Sequence, residues 1–281
     1  MAEMKFKMPP RSENSNKSTF GKILNIAGSM NYTGAAYLSS ISALKTGAGY
    51  LTLACIDKVA DIIASMAPEI TFKRLENKNG AISSCNEVDL SFYDVLSMGC
   101  GLTNTDETQK FVLNLLNKRN TSQPLVLDAD GINILATVKE KISLKNAIIT
   151  PHPKELSRLL KVELDEVLEN REKYARIASE AYDCITVLKG HNTIVTDGSM
   201  VYINGTGSSA LAKAGSGDVL TGIISGLIAQ KMNLFDAAKL GVYLHGLSGD
   251  IAAEDLTKYC VNATDIIEYL PFAIKETDNK L

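Results

Sequence analysis

Cysteine is scarce and unpaired in this sequence. Its five cysteines lie far apart, are odd in number and never form a CxxC pair. This spacing argues against a disulfide framework and against a zinc knuckle. We therefore expect a protein that works in a reducing compartment, the cytoplasm, without a covalent or metal staple.

Long apolar runs and an excess of charge of one sign are absent as well. No stretch reaches the ~18 uninterrupted apolar residues of a membrane-spanning helix, and the polar N-terminus has no apolar signal core. Lysine plus arginine number 29 against 32 for aspartate plus glutamate, which gives a net charge of -3. Because this charge creates no general basic field, we expect neither a nucleic-acid partner nor a membrane partner.

The composition is that of an ordinary globular chain. Of the 281 residues, 45% are hydrophobic and 22% are charged, which argues against disorder. No Pro/Gly/Ser linker divides the sequence, and residues 1–20 form a polar, irregular lead-in. We therefore predict a single domain over residues 1–281, with order beginning near Phe20.

Short β-type runs alternate with helical patterns along most of the chain. The predicted strands are residues 23–27, 50–54, 95–98, 125–127, 147–149 and 184–188, followed by a hairpin of residues 193–196 and 200–203. The main predicted helices are residues 34–45, 59–64, 107–118, 164–181, 218–229, 236–253 and 264–275. This alternation predicts an α/β fold in which a mostly parallel central sheet is covered by helices on both faces.

A glycine-rich segment, residues 204–222, contains the strongest local signal. Gly215 and Gly217 allow close approach of the backbone to a ligand, and the first amides of the helix that follows have no partner inside it. Together they predict a site for a phosphate or a phosphoryl group in transfer. Asp218 lies in the first helical turn, where the helix dipole favours a carboxylate, and is the candidate general base. The alternative is that Ser216 or Asp218 only caps a buried helix.

Two more motifs follow predicted strands, at the edge where open α/β sheets bind ligands. Asp128 and Asp130 follow the strand at 125–127 and could hold Mg²⁺ through water or orient a substrate hydroxyl. The alternative is that Asp130 caps a helix. His152 follows the strand at 147–149 between two prolines, and either contacts a ligand or is structural.

A lysine and a histidine remain. Lys189 follows the strand at 184–188, where its side chain and nearby backbone donors could meet nucleotide phosphates or an adenine edge. His245 lies within an apolar helical pattern, so we expect core packing or a buried hydrogen bond there.

In their order along the chain these motifs resemble those of the ribokinase-like superfamily and, within it, of the nucleotide-dependent NAD(P)H-hydrate dehydratases. The resemblance extends from about Pro9 to the C-terminal helices. Its most specific parts are TPHP at residues 150–153 and the glycine-rich segment 204–222, which contains GSGD at residues 215–218. The resemblance implies a three-layer α/β/α ribokinase-like fold.

The same resemblance implies an enzyme of metabolite repair. Such an enzyme dehydrates the S epimer of NADHX or NADPHX to NADH or NADPH and cleaves ADP, or ATP in some relatives, to do so. Asp218 would be the catalytic base, Mg²⁺ would neutralise the nucleotide phosphates, and no metal ligand is assigned. The implied anion hole is Gly215, Ser216 and Gly217; the implied substrate-binding residues are Ala35, Gly101, His152 and Asp218; and the implied nucleotide-binding residues are Lys189, Gly190, His191, Asn192, Thr193 and Gly217.

Partners are also implied by resemblance. Relatives suggest a homo-oligomer, a tetramer, and many of them carry an N-terminal epimerase domain, for which we expect no room in 281 residues. The chain would then depend on a separate epimerase. The alternative function is a small-molecule kinase of the same fold, acting on a hydroxymethylpyrimidine, thiazole or pyridoxal alcohol through the same Asp218.

Overall fold

A nine-stranded sheet forms the centre of the fold in the computed structural model, which describes residues 6–138 and 142–279. The described strands are β1 Lys22–Ile26, β2 Tyr50–Ile56, β3 Thr71–Leu75, β4 Asn77–Lys78, β5 Ala81–Ile82, β6 Val95–Met98, β7 Leu125–Leu127, β8 Ala147–Ile149, β9 Ile185–Leu188, β10 Ile194–Thr196 and β11 Val201–Ile203. The sheet order is β11-β10-β9-β8-β7-β6-β1-β2-β3, while β4 and β5 form a separate hairpin. The run from β9 to β3 is parallel, and β10 and β11 are antiparallel. The mostly parallel sheet predicted from the sequence is confirmed.

Helices cover this sheet in two groups. The described α-helices are α1 Thr33–Thr46, α2 Asp57–Ala64, α3 Asp106–Lys118, α4 Ala129–Leu135, α5 Pro153–Leu160, α6 Leu164–Glu169, α7 Arg171–Tyr182, α8 Ser216–Ala229, α9 Leu234–Leu256 and α10 Ala263–Asn279. Helices α1, α8, α9 and α10 pack on one another, and α3, α4, α5 and α7 form a second packed series. The three-layer α/β/α fold is therefore confirmed. Among the residues that the structure describes, none of the helices combines the length and apolarity needed to cross a bilayer.

The central strands are buried on both faces. Every residue of β6, β7 and β8 is buried, as expected for parallel strands covered by helices on both sides. Such strands read as continuous apolar runs, which is why their bounds could be predicted from the sequence. Because parallel strands point the same way, the segments that follow them meet at one edge of the sheet.

Two glycines of α8 decide how closely that helix packs on α1. A Cβ at Gly222 would lie 1.9 Å from Ser42 Oγ, and one at Gly226 would lie 2.6 Å from the carbonyl oxygen of Ala43. Any side chain at these positions would push the helices apart. Gly222 and Gly226 therefore serve helix packing, and the close packing of α8 on α1 holds the start of α8 in place.

The structure corrects the prediction of one long helix over residues 164–181. Asn170 has φ -131° and ψ 51°, so the helix ends there and a new one, α7, begins at Arg171. Strand β3 and the β4–β5 hairpin were not predicted, although the Asn79-Gly80 dipeptide, with φ of +55° and +81°, is a typical hairpin turn. The hairpin predicted across Asp197-Gly198 is confirmed by the pairing of β10 with β11.

The lead-in is partly ordered. Residues Lys17–Phe20 form a short 3₁₀ helix with Asn16 as its N-cap, within the segment predicted to be irregular. Residues 1–5 of that segment lie outside the described residues.

Candidate active site

The carboxyl ends of β6 to β9 and the N-terminus of α8 meet at one edge of the sheet. Cys100 and Gly101 follow β6, Asp128 follows β7, and Lys189 follows β9. Gly217, in the first turn of α8, lies close to both of these side chains: a Cβ at Gly217 would be 3.3 Å from Lys189 Nζ and 3.9 Å from Asp128 Oδ2. Residues as far apart in the sequence as Asp128 and Gly217 are thus brought together.

Asp218 faces Cys100 and Asp128 at the start of α8. The Sγ of Cys100 and one carboxylate oxygen from each aspartate all lie within 4.8 Å of one another. Burial, and after it the charge of Asp128, raises the pKa of Asp218 from 3.8 to about 6, while Cys100 and Lys189 lower it by less. The helix dipole alone favours the charged form, as expected from the sequence, but burial outweighs it. Asp218 is therefore still mostly ionised at neutral pH and basic enough to accept a proton.

Asp128 is a buried carboxylate held by several donors. Its Oδ1 accepts a hydrogen bond from Lys189 Nζ at 2.6 Å, and its Oδ2 accepts one from Thr221 Oγ1 at 2.8 Å. Burial by itself raises the pKa of Asp128, but the charge and hydrogen bonds of Lys189, Thr150 and Thr221 together bring it below its usual value. Asp128 therefore stays ionised beside Asp218.

The lysine of this pair is held in its charged form. Burial tends to lower the pKa of Lys189, but Asp128 and then Glu155, whose Oε2 lies 4.0 Å from Nζ, raise it above its usual value. The predicted nucleotide-binding lysine therefore already has a carboxylate partner inside the protein.

The alternative that Asp130 caps the helix after β7 is wrong, because Asp130 lies inside the first turn of α4. Asp128 occupies the N-cap position of α4 but makes no capping hydrogen bond. Asp130 accepts from the backbone N–H of Thr103 at 2.8 Å, so its carboxylate ties α4 to the loop after β6. Both carboxylates thus organise the edge of the sheet.

Backbone amides at the start of α8 are available to a ligand. Gly215 is the N-cap and has a φ of +90°, a left-handed conformation that favours glycine. The amides of Gly215 and Gly217 meet no backbone acceptor in the described ranges, whereas the Ser216 amide donates to the Lys213 carbonyl at 3.3 Å. Two of the three predicted anion-hole amides are therefore free, and the third closes a turn.

Two of the predicted substrate-binding residues touch each other. Gly101 has a φ of +64°, and a Cβ there would lie 2.8 Å from the Cβ of Ala35. Since Gly101 directly follows Cys100, this contact lies next to the cluster around Asp218. Tyr32 lines the same place, since its Cβ would lie 2.7 Å from a Cβ at Gly101, so only a residue without a side chain fits there.

His152 caps α5 and remains half-exposed. Its Nδ1 accepts from the backbone N–H groups of Lys154 at 3.2 Å and Glu155 at 3.3 Å. Its Nε2 lies 3.3 Å from Glu155 Oε1, and 45% of the side chain is exposed. Burial and then the charge of Lys189 lower the pKa of His152, so the ring is neutral at neutral pH. The structural role is confirmed, and the exposed ring face can still meet a ligand.

The predicted nucleotide-binding residues after Lys189 form a tight turn. Gly190 has a φ of +142° and Asn192 one of +54°, and Thr193 Oγ1 donates to the Gly190 carbonyl at 2.9 Å. His191 and Asn192 are exposed. Within the described part of the chain, no hydrogen bond or ion pair joins residues 190–193 to Asp218. This turn therefore flanks the cluster and does not belong to it.

Arg171 holds this turn and was not predicted. Its guanidinium donates to the carbonyls of Leu188, Lys189 and His191. Arg171 reaches them because the break at Asn170 makes it the first residue of α7. Only the tertiary contact reveals this role, since the sequence pattern predicts one continuous helix through Asn170 and Arg171.

Cys100 lies in the glycine-rich turn after β6 and is not among the predicted site residues. Its thiol is completely buried, and Asp128 Oδ2 lies 3.9 Å from Sγ. Burial and the charges of Asp218 and Asp128 raise the pKa of Cys100 well above its usual value. The cysteine is therefore a neutral thiol between two carboxylates.

The carboxylates of this edge suit a hard cation. Asp128 and Asp218 lie within 4.8 Å of each other, and Mg²⁺ prefers oxygen ligands, usually one or two carboxylates together with substrate phosphates and water. The neutral thiol of Cys100 is a poor ligand for such an ion. The residues present therefore fit a magnesium ion that a nucleotide would bring with it.

Known proteins match both the sequence and the fold. The sequence profile of NAD(P)H-hydrate dehydratase matches residues 23–272. The ADP-dependent (S)-NAD(P)H-hydrate dehydratase of Neisseria meningitidis is 36% identical, with 87% of this chain and 81% of that protein covered. The bifunctional NAD(P)H-hydrate repair enzyme Nnr of Thermofilum pendens is also 36% identical over 95% of this chain, but only 52% of that protein is covered.

A solved structure agrees with these matches. The ADP/ATP-dependent NAD(P)H-hydrate dehydratase from Bacillus subtilis, co-crystallized with ATP/Mg²⁺, superposes with a TM-score of 0.84 at 28% identity. The superposition covers 99% of this chain and 100% of the Bacillus subtilis chain. By contrast, the chain spans about half the length of the bifunctional relatives.

Proposed function

Because this chain belongs to the NAD(P)H-hydrate dehydratase family, we propose that it dehydrates the S epimer of NADHX and NADPHX and cleaves ADP to AMP and phosphate. The relatives named for this activity support the proposal. The observation that supports it is the partly buried Asp218 carboxylate beside the free amides of α8, where a base and an anion site would lie side by side.

In the first step Asp218 takes the proton of the hydroxyl group on the hydrated nicotinamide ring. The oxygen then attacks the terminal phosphorus of ADP, and the bond from that phosphorus to the oxygen of AMP breaks. The amides of Gly215 and Gly217 donate to the negative charge that builds up on the transferred group. A base with a pKa of about 6 suits this transfer at neutral pH.

In the second step the ring expels phosphate. The bond between ring carbon and oxygen breaks, a proton leaves the neighbouring ring carbon, and the dihydronicotinamide is restored. The sum is hydrate plus ADP giving NAD(P)H, AMP, phosphate and a proton. Phosphorylation thus turns a poor leaving group, hydroxide, into a good one.

The remaining residues would orient the two reactants. The hydrate would lie against Ala35, Gly101 and the exposed face of His152. The nucleotide would lie along the turn at 189–193, with Gly217 next to its phosphates. Mg²⁺, when bound, would neutralise the phosphate charge near the carboxylates of Asp128 and Asp218.

The test uses acid-generated NADHX with ADP and magnesium, and ATP in parallel. We expect the absorbance of the reduced nicotinamide to return and free phosphate to appear, with only the S fraction reacting directly. The matched control is Asp218→Asn, in which we expect turnover to fall by roughly 10²- to 10⁴-fold while nucleotide binding survives. Failure to recover NADH, together with phosphorylation of a vitamin alcohol, would show a kinase instead.

A further inference from the structure

A buried histidine that the reaction above does not use touches the start of α8. His245 of α9 is 8% exposed, and the expected buried hydrogen bond is confirmed. Its Nε2 lies 2.9 Å from the carbonyl oxygen of Ser216 and 3.0 Å from Ser216 Oγ. One ring nitrogen therefore contacts both oxygens of a single residue of the predicted anion hole.

The carbonyl oxygen decides which nitrogen carries the proton. A carbonyl can only accept, so Nε2 must be the donor, and the neutral ring is the Nε2–H tautomer. Burial lowers the pKa of His245 to about 4, which keeps the ring neutral through the physiological range. The Nε2–H group then also faces Ser216 Oγ as a donor.

The hydroxyl hydrogen of Ser216 is therefore not used in the contact with His245. Oγ accepts from Nε2, so its own hydrogen must point elsewhere, and among the described residues Oγ has no other hydrogen-bond partner. Ser216 is 5% exposed, and buried donors are almost always satisfied. Its neighbours Gly215 and Gly217 offer free amides at the same helix end, which is where an anionic oxygen would lie.

We propose that His245 is a positioning residue: by donating to both oxygens of Ser216, it directs the Ser216 hydroxyl hydrogen to the phosphoryl group in transfer. The proposal rests on the proposed function, because that function supplies the phosphoryl group. Without His245, the hydroxyl turns back toward backbone carbonyls and its hydrogen bond to the transferred group is lost.

Helix α9 is built to hold this arrangement. Asp250 Oδ2 accepts from the Gly207 amide at 2.7 Å, and Thr206 Oγ1 donates to the Tyr243 carbonyl at 2.9 Å. A Cβ at Gly246 would lie 2.2 Å from Thr206 Oγ1, so the chain can run past this helix only because the position is glycine. The helix that carries His245 thus anchors the segment leading to Ser216.

The first test does not depend on activity. The sequence has only three histidines, so ¹⁵N-histidine NMR can assign each ring. We expect His245 to be the neutral Nε2–H tautomer at neutral pH, with a ring signal that changes in Ser216→Ala. An Nδ1–H tautomer, or a signal indifferent to Ser216→Ala, would overturn the proposal even if the enzyme dehydrates NADHX.

The second test is a double-mutant cycle in the dehydration assay. We expect His245→Leu to lower kcat roughly 100-fold, the low end of the effect of losing one oxyanion donor, with KM for hydrate and ADP nearly unchanged. His245→Gln keeps an N–H donor and should recover most of this loss. In the Ser216→Ala background, His245→Leu should lower kcat only slightly further, because both variants remove the same interaction.

A purely structural histidine gives a different pattern. The losses of His245→Leu and Ser216→Ala would then add, the loss would follow the fall in the unfolding temperature, and Gln would not rescue kcat. Should the chain prove to be a kinase, the same cycle on its phosphoryl transfer still decides the role of His245. Failure of the dehydration assay and failure of the histidine proposal are thus separate outcomes.

Discussion

The dehydration rate should depend on pH through Asp218. The base must be ionised, so kcat/KM should rise with pH through a limb centred at about 6, the raised pKa of this carboxylate. At pH 7 such a group is roughly nine-tenths ionised, and at pH 5 roughly one-tenth. We therefore expect the rate at about pH 5 to be about a tenth of the plateau. A carboxylate with the ordinary value of 3.8 would show no fall in this range.

The raised pKa also has a cost in stability. A rise from 3.8 to about 6 corresponds to roughly 3 kcal/mol between the two protonation states. The unfolded chain loses this proton at lower pH than the folded chain, so the folded state is penalised increasingly from about pH 3.8 to about pH 6 and fully above it. Asp218→Asn carries no charge and should be more stable than the parent at neutral pH, by at most roughly 3 kcal/mol.

Two measurements check this reasoning together. The pH profile of NADH recovery gives the limb, and denaturant unfolding of the parent and Asp218→Asn at neutral and acid pH gives the stability difference. We expect that difference to shrink as the pH falls toward 4. A limb near 4, or an Asp218→Asn variant that is inactive because it is less stable, would refute the assignment of Asp218 as a partly buried base.

Three further variants test the surroundings of the base. Cys100→Ala removes a thiol whose hydrogen bond lowers the pKa of the base, so the limb should move to higher pH. Cys184→Ala, at a buried cysteine before β9, should leave the pH profile unchanged. Gly101→Ala would put a Cβ 2.8 Å from that of Ala35 at a φ of +64°, so denaturant unfolding should show a loss of about 1–3 kcal/mol and the KM for hydrate should rise. Arg171→Met frees the carbonyls of the nucleotide turn, so the KM for ADP should rise roughly tenfold with kcat nearly unchanged; an equal fall in kcat would place its effect on the chemical step.

The elements that could be predicted are those whose local pattern matches their burial. Strands β6, β7 and β8 have the bounds read from the sequence, because apolar runs and strand ends coincide in a sheet covered on both faces. The break at Asn170 was not predicted, since its neighbours continue a helical spacing and only the contacts of Arg171 with the turn after β9 favour a new helix start. Strand β3 lies at the edge of the sheet and keeps exposed side chains, so it lacks the apolar run of a central strand.

By itself the sequence determined the class of fold, the segments that carry chemistry and the candidate base, because glycine, carboxylate and strand-end patterns are local. Only the tertiary structure decided the electrostatics of the site. The pairing of Lys189 with Asp128, the thiol of Cys100 beside Asp218 and the contact of His245 with Ser216 join residues far apart in the chain. The helix dipole that the sequence shows favours an ionised Asp218, whereas burial and a neighbouring anion, which only packing creates, raise its pKa to about 6.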